Sequence, residues 1–181
     1  MNIQVEKITN LDLAKEGINF SRKGFDSKIK NLKKLYASEH SPMYTQIYIL
    51  RLYDIPYFTH THIRTHKKNF IFESVTTSRP DITGKKRTAD LLVDMIIICN
   101  AKTIVDMMLK RLCAMASMET QIIFNLILDK LKEQNDELSE FCVPKCVYRN
   151  GICGEFKCCG FNKTESYKRQ QIEYNKNFNV S

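Results

Sequence analysis

The chain has 181 residues, an apolar fraction of 43% and a formal net charge of +8, which fits one domain with its own core and no need of disulfide staples. No window approaches the roughly 18 apolar residues of a transmembrane helix, and the N-terminus, MNIQVEKITNLDLAKEG, lacks the basic head and apolar run of a secretory signal, so a cytosolic protein is expected. The basic excess favours anionic partners. Its clusters are modest (Lys28–Lys34, Lys67–Lys68, Lys85–Arg87), and no RRM signature, helical zinc finger or arginine-rich tail accompanies them, which sets nucleic acid behind a small phosphorylated ligand.

Along the chain, Leu11–Phe20 and Lys28–Ser38 read as short helices within a polar first forty residues. Tyr44–Tyr53 is rich in β-branched and aromatic residues and reads as a strand. Asp54 and Pro56 then mark a helix start, with Asp54 as cap and Tyr57–His66 as the helix. Asn69–Thr77 returns to strand composition, and Arg79–Arg87, with Pro80 and Gly84, reads as a loop.

The second half reads as helical. Ile97, Ala101, Ile104, Val105, Met108, Leu112 and Met115 share one face at a 3.6-residue period. Past a cap at Ser117, Ile123, Phe124, Ile127, Leu128 and Leu131 form a second stripe. Strands followed by paired long helices give an α+β class, an antiparallel or mixed sheet packed with long helices. The division expected is a main domain over 1–141, a Cys-rich segment over 142–161 and a polar, frayed tail over 162–181.

Three segments, in order, resemble the flavin-dependent thymidylate synthase family. His40-Ser41-Pro42 precedes the first strand, as a His-Ser-Pro does in that family. Thr61-His62-Ile63-Arg64-Thr65-His66, with Phe72-Glu73-Ser74 and Ser78-Arg79, corresponds to its Arg-His-Arg signature and the polar stretch behind it. Asn100-Ala101-Lys102, Lys110-Arg111-Leu112-Cys113 and Met118-Glu119 are similar to its Asn-Ala-Arg, Arg-Leu-Arg-Leu-Cys and Ala-Gln-Trp-Glu runs. The likeness covers roughly residues 40–160.

The resemblance implies an α+β homotetramer of the thymidylate synthase-complementing protein type, with FAD and dUMP bound between subunits. It implies reductive methylation of dUMP by methylenetetrahydrofolate, with NADPH as hydride source and no covalent protein nucleophile. On this likeness Arg64, His66, Glu73 and Arg111 contact the flavin, and Ser78, Arg79 and Gln121 contact the nucleotide. The sequence also departs from the pattern. The signature's His and second Arg fall on Thr65 and His66, the family's Glu-His after His-Ser-Pro reads Tyr44-Thr45, a helical Arg becomes Val105, and another Arg becomes Gln121. A divergent branch is one reading; a nucleotide-binding protein on the same scaffold without turnover is the alternative. His60, His62 and His66 alternate closely, but no Glu follows the first His as zinc-protease chemistry requires, so they read as a solvated helix face.

Five of the seven cysteines lie at Cys142, Cys146, Cys153, Cys158 and Cys159, among Gly151, Gly154 and Gly160. In a cytosolic chain clustered thiols point to zinc rather than to disulfides, although the spacing is irregular and free thiols are the other reading. Some phage-type relatives of the family carry a similar tail, with Val143-Pro144 and Tyr148-Arg149 matching. Cys99 and Cys113 read as helical core residues. A zinc-stapled nucleic-acid binder using the basic tail is a third reading.

Overall fold

Four strands form one antiparallel sheet in the order β1-β2-β4-β3: β1 (Asn2–Lys7), β2 (Ile47–Pro56), β3 (Phe70–Val75) and β4 (Leu92–Asn100). The computed structural model describes residues 1–77, 79–84, 86, 88–89 and 91–178. One sheet face is apolar and closed. Ile3 and Val5, then Tyr48, Leu50, Leu52 and Ile55, then Val93, Met95, Ile97 and Cys99 alternate into the core, as the two-residue period of a strand requires. Phe70 and Val75 of β3 pack at its edge.

Helices α5 (Ala101–Arg111) and α6 (Met118–Glu133) close the core together with α3 (Tyr57–Arg64); α6 packs against β1, and α3 against β2, β4 and α6. Shorter helices, α1 (Leu11–Ser21), α2 (Lys33–Ser38), α4 (Pro80–Thr83) and α7 (Lys145–Tyr148), and a C-terminal α8 (Glu165–Lys176) complete the chain. The α+β class holds, and the sheet is wholly antiparallel. No helix of the described residues is long and apolar enough to cross a membrane.

Several sequence expectations are corrected. β4 replaces the start of the expected long helix: Ile97 is strand, and the helix begins at Ala101. Val93, Met95, Ile97 and Cys99 alternate as well as Ile97, Ala101 and Ile104 repeat, so the two periods compete over the same residues. β1 adds a strand within the polar first forty residues, where only Ile3 and Val5 alternate inward. The second helix covers only Lys33–Ser38, because Glu137 Oε2 accepts the Leu32 N–H at 2.7 Å and holds the preceding segment off the helix. Asp54 is not a cap. It sits at φ +55° in an irregularity between Leu52 and Ile55, with its N–H donated to Asp94 Oδ1 at 2.9 Å.

The last twenty residues carry α8 rather than a frayed end. Thr164 caps it, with Oγ1 accepting from Tyr167 N at 3.1 Å. Tyr174 is buried and stacks its ring 5.2 Å from Phe178, which stands 6.3 Å from Phe141. A few spaced aromatics dock a helix whose average composition is polar.

Candidate functional site

The site is built on α3. Its opening N–H groups are taken by the chain ahead of β4: Tyr57 N donates to Leu91 O at 2.8 Å and Phe58 N to Ala89 O at 3.1 Å, which serves in place of a side-chain cap. Ile63, Thr59 and His60 face inward and anchor the helix. Arg64, at its last turn, keeps its side chain 44% exposed and donates Nε–H to Glu73 Oε1 at 2.9 Å.

Glu73 reaches Arg64 through a strand irregularity. The β3–β4 register slips between Phe70 and Phe72. Phe70 pairs with Cys99 and faces the core; after the slip Glu73 pairs with the inward Ile97. An extra residue, Ile71, therefore turns Glu73 to the core side, where unbroken alternation from Phe70 would turn it outward.

Arg111 ends α5 and grips the far end of α3. Its Nη2 donates to His62 O and to Thr65 Oγ1, both at 2.7 Å. A cation on the exposed carbonyls of a helix C-terminus is favourable. Burial lowers the Arg111 pKa. His62 Nδ1 lies 3.1 Å from Thr120 Oγ1, which lies 2.7 Å from Ser117 Oγ, so α6 is tied to the same helix. His66 is held neutral: burial, then the cations Arg111 and Lys110, bring its pKa down to about 4. Burial and Arg64 also lower that of His60, which is buried and not a solvated face residue as expected.

Buried polar atoms without a hydrogen-bond partner gather here. Among the described residues they are Thr59 Oγ1, His66 Nε2, Glu73 Oε2 and Arg111 Nε, with Gln46 Oε1 apart from them, while the His60 ring hydrogen-bonds the Tyr57 backbone. All but Gln46 Oε1 lie on or beside α3. A buried unpaired group costs about 1–3 kcal/mol, so their concentration marks a strained polar patch around α3, closed off from the surface in this conformation.

Other predicted residues stand elsewhere. Arg79 is exposed and pairs with Asp81 through Nε (3.1 Å) and Nη2. Ser78 lies outside the described residues, as do Lys85 and Arg87 of the basic loop. Gln121 donates to Ala116 O at 2.7 Å and lines a separate cavity of about 650 Å3 beside α6 and α8. The Asn100-Ala101-Lys102 run is a strand-to-helix joint. Asn100 Oδ1 caps α5 through Thr103 N at 2.9 Å, and Lys102 pairs with Glu39 (3.4 Å) and with Asp106.

The cysteines divide. Cys142 is buried, its thiol pKa raised by that burial, and it lines the 650 Å3 cavity. Cys146, Cys153, Cys158 and Cys159 line a different, small cavity, together with Cys113. The contiguous set expected from spacing thus loses Cys142, and Cys113 joins the others. Cys113 is no helical core residue; it follows α5 and is partly exposed. Cys99 is buried on β4, its thiol pushed up to about 12 by desolvation. All seven thiols are free. Among the described residues no group of three or more His, Cys, Asp or Glu is placed to hold a metal ion.

No protein-family model matches the chain, and no curated protein matches it in sequence. Solved structures do. A flavin-dependent thymidylate synthase from Helicobacter pylori, complexed with FAD and dUMP, superposes with a TM-score of 0.65 at 14% identity over 79% of this chain and 100% of its own. The fold is that of the flavin-dependent thymidylate synthases. A second structure of thymidylate synthase X from the same organism, with FAD and dUMP, gives 0.63 at 13% identity over 78% and 99% of the two chains. A UMP/dUMP methylase from Streptomyces cacaoi, bound with 5-Br dUMP, gives 0.53 at 12% identity over 80% and 97%.

Proposed function

We propose that this chain binds FAD and a pyrimidine nucleotide, dUMP, at the polar face of α3, and that it methylates dUMP reductively to dTMP with methylenetetrahydrofolate and NADPH. The observation that carries the reading is the cluster of unpaired buried atoms on Thr59, His66, Glu73 and Arg111, in a fold shared with structures that hold FAD and dUMP.

The residues suit such ligands. Glu73 Oε2 is a free acceptor for an N–H of a flavin or pyrimidine ring. Neutral His66 offers one donor and one acceptor. Arg64 uses only Nε on Glu73, and its terminal nitrogens make no bond among the described residues, which leaves a planar fork for a phosphate. Arg111 orients α3 through His62 O and Thr65 Oγ1. Bound flavin would supply the redox chemistry, and the protein would position the reactants and exclude water.

A homotetramer is part of the proposal. The outer sheet face carries Ile49, Ile98 and Phe72 as cross-strand neighbours on three strands, with Phe72 50% exposed; such a row suits burial by another copy.

One observation favours a second reading, nucleotide binding without turnover. Arg111 is engaged with α3 and Arg79 with Asp81, so fewer cations are free for ligand than the resemblance implies. Incubation with FAD, dUMP, methylenetetrahydrofolate and NADPH, followed by chromatography for dTMP, separates the two. Product supports the enzyme; ligand binding without product supports the second reading; no binding rejects both.

A further inference from the structure

Five cysteines, four of them clustered in sequence and Cys113 apart, line one small void. Cys113 follows α5, Cys146 lies in α7, and Cys153, Cys158 and Cys159 belong to the irregular stretch between α7 and α8. The void has a volume of about 20 Å3, close to the room of one small sphere. We propose that Cys113, Cys146, Cys153 and one of Cys158 and Cys159 bind a single zinc ion as a tetrahedral thiolate site.

Several features of the void support a soft cation. Thiolate ligands select zinc over harder ions. Glu155 also lines the void, but a carboxylate competes poorly for a soft site beside four sulfurs. Four thiolates on one divalent ion leave an excess of negative charge, and Lys145 on the same wall opposes it. Cys158 Sγ already accepts the Gly160 N–H at 3.5 Å, with Gly160 at φ +82°. Asn162 donates to Gly151 O at 2.7 Å and accepts from the protonated Cys158 Sγ at 3.5 Å, a bond that gives way when that thiol loses its proton on binding the metal.

The surrounding stretch is held mainly at its start, where Gly151 N donates to Cys146 O and Asn162 donates to Gly151 O, both at 2.7 Å. Between Arg149 and Gly160 there is no helix or strand, and Ile152 and Phe156 are exposed. The thiols line one void, but among the described residues no three of them stand where they could hold a metal ion without moving. Each swings on a single χ1, and zinc draws sulfurs to about 2.3 Å as binding couples to local ordering. Each ligand thiol releases its proton to solvent on binding. Cys113 lies two residues beyond Arg111, so the metal would also fix the end of α5 that grips α3.

The full chain, expressed with added zinc and purified in reductant without chelator, is assayed by elemental mass spectrometry. About one zinc per chain is expected, the stoichiometry of a closed four-ligand site. In competition with a chromophoric chelator, Cys113→Ser and Cys153→Ser should each weaken binding by at least about tenfold, the loss seen even for supporting residues. Cys142→Ala should leave binding unchanged. Cobalt added to the unmutated protein should give a thiolate-to-metal charge-transfer band, a readout that survives any failure of a variant to fold. The proposal is overturned by unmutated protein with neither zinc nor the cobalt band, by zinc that persists in Cys113→Ser but leaves in Cys142→Ala, or by a disulfide among these thiols in place of metal.

Discussion

Arg64 and Glu73 meet at 2.9 Å because a register slip in β3 turns the carboxylate toward α3. The pair is partly exposed, at 44% and 21%, and such pairs contribute only about 0.2–1 kcal/mol to stability. Its value is expected in ligand binding instead. Arg64→Ala should weaken binding of flavin or pyrimidine nucleotide about ten- to a hundredfold, the loss of one charge-assisted contact of roughly 1.5–3 kcal/mol. Arg64→Lys should restore little, since an ammonium cannot reproduce a planar fork. Unfolding midpoints should change little in either variant. A large fall in stability with unchanged ligand affinity would make the pair structural.

Arg111 is expected to behave the opposite way. It holds the His62 carbonyl and the Thr65 hydroxyl, so Arg111→Ala should lower stability by about 1.5–3 kcal/mol, the range for hydrogen bonds to a charged group. The same change removes a cation that depresses the His66 pKa. An NMR titration of the imidazole should therefore show His66 titrating higher in the variant. An unmoved value would remove Arg111 from that electrostatic account.

The pH dependence of folding follows from the same histidine. Unfolded, His66 takes up its proton near the ordinary value of about 6.5; folded, it does not until about pH 4. The unfolded state then binds more protons between those values, so stability falls as pH drops through that window and levels off below it, as far as this group is concerned. At pH 7 neither state is protonated and the term vanishes. Urea melts at intervals from pH 7 to pH 4 should show the decline, and His66→Asn should flatten it. Equal slopes in both proteins would contradict the assignment.

Ile49, Ile98 and Phe72 form the outward row of the sheet. If copies pack on that face, Ile98→Asp should shift the protein to smaller species in light scattering while its helix content in circular dichroism stays the same. Wild-type protein that is already a 21.2 kDa monomer would end the shared-site proposal.

Much of α3 was legible because its signature residues stand at fixed spacing: Arg64, His66, Glu73 and Arg111 all lie on or around one helix. What one-dimensional spacing hides is registry. The slip that re-aims Glu73 leaves no mark in FIFESV, and β4 was lost because a strand's alternation and a helix's repeat share Ile97. β1 offers only Ile3 and Val5 inside polar residues, too short a pattern to separate from a loop. Cys113 escaped the thiol cluster because it reaches it through the fold rather than the sequence. His60 read as solvated because alternating histidines suggest one exposed face, whereas its position on a short helix puts it inward beside Thr59 and Ile63.

The most direct test is a calorimetric titration of the full chain with FAD and with dUMP, repeated on Arg64→Ala and on Gln121→Ala. The account predicts binding of at least one ligand, lost or weakened tenfold or more (roughly 1.4 kcal/mol) in Arg64→Ala. Gln121 lines a different cavity, so Gln121→Ala should bind as the unmutated protein does. Protein that binds neither ligand, or binding that survives Arg64→Ala but fails in Gln121→Ala, would contradict a nucleotide site at α3.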